Sequence, residues 1–301
     1  MNLLLAMIAS FLWGTTYAVT QATLPDWPPL LLGALRALPA GVLLLALRPS
    51  RPTRSQWGTL ALVGLVNIGL FFSLIFVMAL TLPSAVSGVG MVSVPVFAML
   101  YHYLRHRVRP SGVQMASGVA LVALAWQLFD PGSLALSAVG MAAMLGAILC
   151  IVIGSGIVKS LGGSVHWWTV LTWQLVVGGS LLTLAALVQG MLDPEPYRQA
   201  LTGITGLNLL GLAWIILLNT ALSYGLYVWL LQRMTVVEFT FGGIANPIAG
   251  IVTGLVLVGE SYNPGQYALM AGMILMSLSP QLVLLWQRRK LRQSAAEAAM
   301  K

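Results

Sequence analysis

Apolar runs close to the ~20 residues that cross ~30 Å of hydrocarbon recur along the chain. They fall at about 3–22, 29–47, 57–79, 82–101, 111–128, 137–158, 166–190, 207–231, 237–258 and 265–286. The segments between them are short, polar and rich in Pro, Gly and charge. This pattern predicts an all-α polytopic membrane protein of ten transmembrane helices. A break at Asp130-Pro131-Gly132 divides it into a first five-helix repeat (1–128), a periplasmic linker (129–136), a second five-helix repeat (137–287) and a basic tail (288–301). Because each half holds an odd number of spans, the halves must enter the membrane in opposite orientation, the inverted-repeat plan of many secondary transporters. Sliding the chain by 152 positions brings Asn67 onto Asn219, Pro95 onto Pro247 and Gly90 onto Gly242.

Charge orients the bundle. With both termini inside, the inner segments carry Arg48, Arg51, Arg54, Arg105, Arg107, Arg109, Lys159, Arg233 and the tail residues Arg288, Arg289, Lys290, Arg292 and Lys301. The outer segments carry only Arg198, beside Asp26, Asp130, Asp193, Glu195 and Glu260. The positive-inside rule therefore places both termini of this multi-pass protein in the cytoplasm.

Composition narrows the class. With 58% hydrophobic and 7% charged residues and a mean hydropathy of +0.90, the chain belongs in lipid. Its net charge of +8 is accounted for by short cytoplasmic loops, which argues against nucleic acid as a partner. Cys150 is the single cysteine, so neither an internal disulfide nor a cysteine-based metal or redox site is available, and no metal or cofactor is expected. The first span lacks a basic segment before it and is read as a transmembrane helix, not a cleaved signal.

Polar and aromatic residues within spans mark the candidate solute path, because lipid cannot satisfy them. Asn67, Asn219 and Asn246 are candidate cavity amides. Trp13, Tyr17, Met91, Trp173 and Tyr224 offer aromatic or thioether surfaces to an apolar side chain, whereas Trp27, Trp57, Trp167, Trp168, Trp229 and Trp286 fall at span ends and read as interfacial anchors. Pro95 and Pro247 are candidate gating hinges that free the carbonyls of Met91 and Gly243. Gly250 and Gly254 suit close helix packing. Arg36, inside the second span, has three readings: it snorkels outward, holds a substrate carboxylate, or pairs with Glu260. No Asp or Glu lies in the middle third of any span, so a carboxylate that exchanges protons for organic cations is missing.

These residues resemble the EamA-type drug/metabolite transporters over nearly the whole chain. Phe11-Leu12-Trp13-Gly14 and Arg36 are similar to that family's opening, Pro95 and Pro247 to the prolines of its fourth and ninth helices, and Gly259-Glu260 to the pair that ends the ninth. In the first half Tyr103-Leu104-Arg105-His106 stands where a glycine-glutamate pair would be expected. Within the family, the length, Trp-rich spans and sparse charge are most similar to bacterial aromatic amino-acid exporters of the YddG type, associated also with methyl viologen efflux. The resemblance implies a non-enzymatic secondary transporter exporting small amphipathic metabolites, chiefly amino acids including aromatic ones. It would work by alternating access, either proton-coupled or downhill; the oligomeric state is left open by the sequence, with a monomer plausible.

The nearest alternative is a cationic-drug or methyl viologen exporter, disfavoured by the missing acid. A sugar-phosphate carrier would set several basic residues around the cavity, where only Arg36 is available. From another class, a membrane-embedded transferase lacks an identifiable metal motif or nucleophile-base arrangement, and a lipid scramblase stays open.

Overall fold

The computed structural model describes residues 2–107, 109–128, 136–161, 164–231 and 242–299. Asp130, Arg233, Glu238 and most of the 129–136 linker lie outside them. Among the described residues the regular structure is entirely helical. Eight helices are long and apolar enough to cross a membrane: α1 (Asn2–Thr23), α2 (Pro29–Leu47), α3 (Arg54–Thr81), α4 (Ser84–Tyr101), α6 (Ala138–Ser160), α7 (Trp167–Leu192), α8 (Gly206–Leu230) and α10 (Pro264–Gln287). Two shorter apolar helices, α5 (Gly112–Leu128) and α9 (Ala245–Val258), occupy the fifth and ninth expected spans. A short amphipathic helix, Pro194–Thr202, joins α7 to α8.

Proline and hydroxyl residues set the helix starts. Pro29 and Pro194 sit in first turns, where a missing N–H costs nothing. Thr205 and Asn208 form a reciprocal capping box at the start of α8, and the His166 ring accepts the Trp168 N–H at the start of α7. Leu184, Leu187, Met191, Leu192, Val119 and Val122 stay exposed, as expected of surfaces wetted by lipid.

Packing is symmetric between the halves. α2 lies along α7, α5 along α10 and α4 along α9. The contacts of α3 with α6, α2 with α8 and α1 with α9 correspond to those of α8 with α1, α7 with α3 and α6 with α4. This set of pairings maps onto itself when α1–α5 are exchanged for α6–α10. The main core joins Phe71, Phe72, Met144, Leu171 and Leu175, and a second cluster of Val86, Val89, Leu121, Met270 and Met273 binds α4 to α5 and α10.

Two long helices widen at mid-depth. α3 is π-helical over Gly64–Leu70 and α8 over Trp214–Leu222, so Asn67 and Asn219 each sit within a π segment. Such segments are rare and concentrate at functional sites.

Among the described residues, the polar contacts between loops fall into two groups. At one end Asn208 Nδ2 donates to Thr23 O (2.6 Å), Gln21 Nε2 to Leu82 O (2.5 Å) and Ser84 N to Glu260 Oε1 (2.5 Å). At the other, Trp168 Nε1 donates to Arg48 O (2.8 Å), Trp173 Nε1 to Ser50 O (3.0 Å) and Gln56 Nε2 to Ser164 O (3.3 Å). One expected anchor differs: Trp27 is 5% exposed and packs with Leu24, Leu32, Phe76 and Ile215, because the segment after α1 folds inward over the bundle end.

Candidate functional site

A central cavity of about 310 Å³ is enclosed by α1, α2, α3, α4, α6, α8, α9 and α10. Trp13, Tyr17, Asn67, Met91, Tyr224, Asn246, Pro95, Pro247 and Arg36 all line it, together with Ser10, Thr16, Ile151, Tyr227 and Ser277. The volume lies at the lower end of small-ligand sites. Residues from both halves line it.

Aromatic rings form one wall. Trp13 of α1 sits 5.0 Å from Tyr224 and 5.0 Å from Tyr227 of α8, ring centre to ring centre, in tilted and edge-on geometry. Phe72 of α3 packs edge-on against Tyr224 at 5.8 Å. These arrangements suit ring quadrupoles. The Trp13 Nε1 proton goes to the Asn219 backbone carbonyl (3.0 Å), a bond that fixes the indole against α8.

Arg36 enters this wall from α2 and is 3% exposed. Its Nε donates to Thr220 Oγ1 (2.9 Å), and Thr220 donates in turn to Ile215 O (2.9 Å) across the π segment. Its guanidinium carbon lies 4.2 Å from the Phe72 ring centre. Outward snorkelling is thereby corrected: the head group is turned into the bundle.

The pairing of Arg36 with Glu260 is also corrected. Glu260 lies in the turn after α9 and caps α4, accepting the N–H of Ser84 on Oε1 and that of Ala85 on Oε2 (3.1 Å). The Tyr262 hydroxyl donates to the same Oε2 (2.9 Å). Burial first, and the adjacent Glu260 carboxylate second, push the Tyr262 phenol above its usual range, which keeps that donor protonated. Gly259 supplies the left-handed turn (φ 76°) that brings Glu260 back over α4. A carboxylate at a helix N-terminus satisfies otherwise unpaired amides and complements the helix dipole, so Glu260 is engaged away from the cavity.

The amides differ in role. Asn67 is 5% exposed, and its Nδ2 donates to Gln174 Oε1 of α7 (3.0 Å). Among the described residues, neither Asn67 Oδ1 nor Asn246 Oδ1 has a hydrogen-bond partner, although both atoms are buried. An unmet buried acceptor is costly. Asn219 departs from its expected place. It is fully buried, stands behind the cavity wall and donates from Nδ2 to Thr16 Oγ1 of α1 (2.7 Å). Trp173 departs as well: it stacks edge-on against Trp57 at 4.8 Å and bonds Ser50 O, covered by a loop that folds over the start of α7.

The two prolines shape the helices differently. Before Pro95 the helix tightens into a 3₁₀ turn at Met91–Ser93, and the Val94 N–H bonds the Met91 carbonyl. That carbonyl, expected to be freed, is satisfied by the tighter turn. Pro247 lies in the first turn of α9, after a break at Ile244. Gly88 and Gly250 let α4 and α9 meet backbone to backbone: a Cβ on Gly88 would lie 3.3 Å from Gly250 Cα and 3.4 Å from Pro247 Cα. A Cβ on Gly254 would collide with Glu260, so both glycines serve packing. Sequence reasoning missed Phe72, which is one aromatic among many apolar residues, and Gln174, whose amide within a span is the same signal that singled out Asn67.

Comparison with known proteins gives a consistent assignment. Residues 1–128 match the EamA-like transporter family. Protein PecM of Dickeya dadantii is 27% identical over 295 residues, covering 95% of this chain and 94% of that protein. The inner membrane transporter YedA of Escherichia coli is 27% identical over 265 residues, 84% of this chain and 81% of its own. A transporter of Synechocystis is 26% identical over 292 residues, 87% of this chain and 84% of its own. A solved crystal structure, 18% identical, superimposes with a TM-score of 0.64 over 94% of this chain and 97% of the other, and so shares the fold.

Proposed function

We propose that this chain, similar to the EamA-like transporter family over residues 1–128 and to PecM and YedA over most of its length, is a membrane transporter of small metabolites whose cargo is amino acids with apolar or aromatic side chains. Export would run across the bacterial inner membrane by alternating access. The observation that carries this reading is the mixed chemistry of one small central cavity. Rings of Trp13, Tyr224 and Tyr227 offer an apolar and quadrupolar surface, while the unmet oxygens of Asn67 and Asn246 await a donor such as an ammonium.

The symmetric pairings of the helices and the π segments at Asn67 and Asn219 support two inverted repeats, 1–128 and 137–287, around that cavity. Pro95 and Pro247, each where its helix changes geometry beside the cavity, are suited to act as hinges. A cationic-drug exporter is less well supported, since among the described residues no Asp or Glu lines the cavity.

Counterflow tests the reading. Proteoliposomes loaded with unlabelled amino acid should take up labelled phenylalanine, tryptophan, methionine and threonine saturably, and should ignore a cationic dye and a sugar phosphate. Uptake of the dye alone would replace amino-acid export with cation export. Movement of labelled lipid without solute uptake would make the chain a scramblase.

A further inference from the structure

We propose that Arg36 is the carboxylate receptor of the cavity and the residue that sets its specificity, so that solutes bearing a carboxylate are accepted and organic cations of the same size are refused. The inference rests on the central cavity being the solute path, as proposed above, and goes on to name the polarity of its ligand.

A guanidinium carries five N–H donors and a charge that is never lost. At Arg36 the Nε donor is met by Thr220, and the Phe72 face lies against the guanidinium carbon. Among the described residues no carboxylate pairs with it; the ion pair they hold is Arg198–Glu195, exposed beyond the end of α7. Glu260, the acid that sequence brings to mind, caps α4 instead. A 3% exposed cation without an anion is expensive in a lipid-embedded bundle. Cation–π contact with Phe72 lessens that cost without neutralising the charge. A ligand carboxylate would neutralise it, and the planar fork of Arg suits two parallel bonds to one carboxylate.

The surroundings fix the guanidinium for that task. Thr220 spends its own proton on Ile215 O, so its oxygen can only accept from Arg36. The π segment that carries Thr220 therefore sets where the guanidinium stands, and Thr220 is a positioning residue. Asn67 and Asn246, each with an unmet and buried side-chain oxygen, line the same cavity, so a small turn of either amide would give it an acceptor pole beside its cationic one. A zwitterion satisfies both. A monocation would meet the acceptors but face an uncompensated Arg36.

The experiment compares phenylalanine, phenylpropionate, phenethylamine and phenethyl alcohol. Binding to the purified full chain is read by thermal shift, and transport by counterflow, in wild type, Arg36→Gln, Arg36→Lys and Thr220→Val. Wild type should bind the two carboxylates and ignore the amine and the alcohol. Arg36→Gln should lose carboxylate affinity at least about 30-fold and accept phenethylamine, a reversal of preference that a merely damaged fold would not produce. Arg36→Lys keeps the charge without the fork and should retain the carboxylate preference at roughly tenfold lower affinity. Thr220→Val should weaken carboxylates about threefold to tenfold without admitting the amine. Equal binding of amine and carboxylate by wild type, an unchanged preference in Arg36→Gln, or no binding of any compound would overturn the proposal. Binding of phenylpropionate but not phenylalanine would uphold Arg36 and remove amino acids as cargo. Counterflow of phenylalanine undiminished in Arg36→Gln would keep amino-acid transport and sink the role of Arg36.

Discussion

Truncating Glu260 to Ala should cost the bundle about 2 kcal/mol. The carboxylate takes the N–H groups of Ser84 and Ala85 at the head of α4, a helix whose cap position is Pro83, which offers no side-chain acceptor. Bonds to an ionised acceptor are worth about 1.5–3 kcal/mol each, but truncated helix caps cost about 0.5–2 kcal/mol in total because water partly replaces them. The buried state of Ser84 and Ala85 limits that replacement and puts the loss near the upper end. For a chain of this size about 2 kcal/mol corresponds to a fall of about 4 °C in the thermal midpoint, measurable by melting the detergent-solubilised protein. Glu260→Gln keeps the shape and one acceptor oxygen and should fall about half as far. If the Ala variant melts within about 1 °C of wild type, the cap is ornamental and the outer end of α4 is held by helix packing alone.

Three further outcomes follow from contacts already described. A Cβ on Gly179 would lie 2.5 Å from Leu38 N and 2.7 Å from Leu38 Cα, where α7 crosses α2. Gly179→Ala should therefore lower stability by about 1–3 kcal/mol, while Gly225→Ala, which meets nothing within 4 Å, should be neutral or gain up to about 1 kcal/mol in the same melting assay. Asn219→Ala removes the bond to Thr16 from behind the cavity wall; it should lower the midpoint by about 1–3 kcal/mol in equivalent terms and leave the rank order of transported solutes unchanged. Trp173→Phe loses the bond to Ser50 O and should leave solute affinity unaltered in counterflow, since the ring lies outside the cavity.

Hydropathy made the bundle legible, because a bilayer demands long apolar helices and little else satisfies it. The apolar spans from sequence match those of the structure closely, apart from the ninth, whose first expected residues lie outside the described ones, and the tenth, whose helix runs on from Pro264 to Ala299 through the segment expected as a tail. The cavity was readable where depth alone decides, at Trp13, Tyr17, Asn67 and Met91. It was unreadable where rotation about a helix decides. In sequence Asn219 and Asn67 have equal standing, and both lie within π segments, yet Asn219 turns to Thr16 while Asn67 stays on the wall. Depth misled at Trp173, since the 48–56 loop covers that part of α7. Arg36 had three readings open to it in sequence; its bond to Thr220 and contact with Phe72 removed outward snorkelling, and the placement of Glu260 on α4 removed the ion pair.

The two wide turns also bear on how such a machine moves. A π segment is an α-helix with a surplus residue looped in, and the loop can travel along the axis by sequential exchange of carbonyl partners. Each residue it passes swings by about 100° while the helix ends stay where they are. Both ends of α3 and the start of α8 are tied down by polar contacts, so rigid tilting would break bonds that a travelling loop leaves whole. Were the two loops to travel so, a bundle built this way would have a second route to exchanging the groups it shows its cargo: threading a wave through two helices, in place of rocking one half against the other.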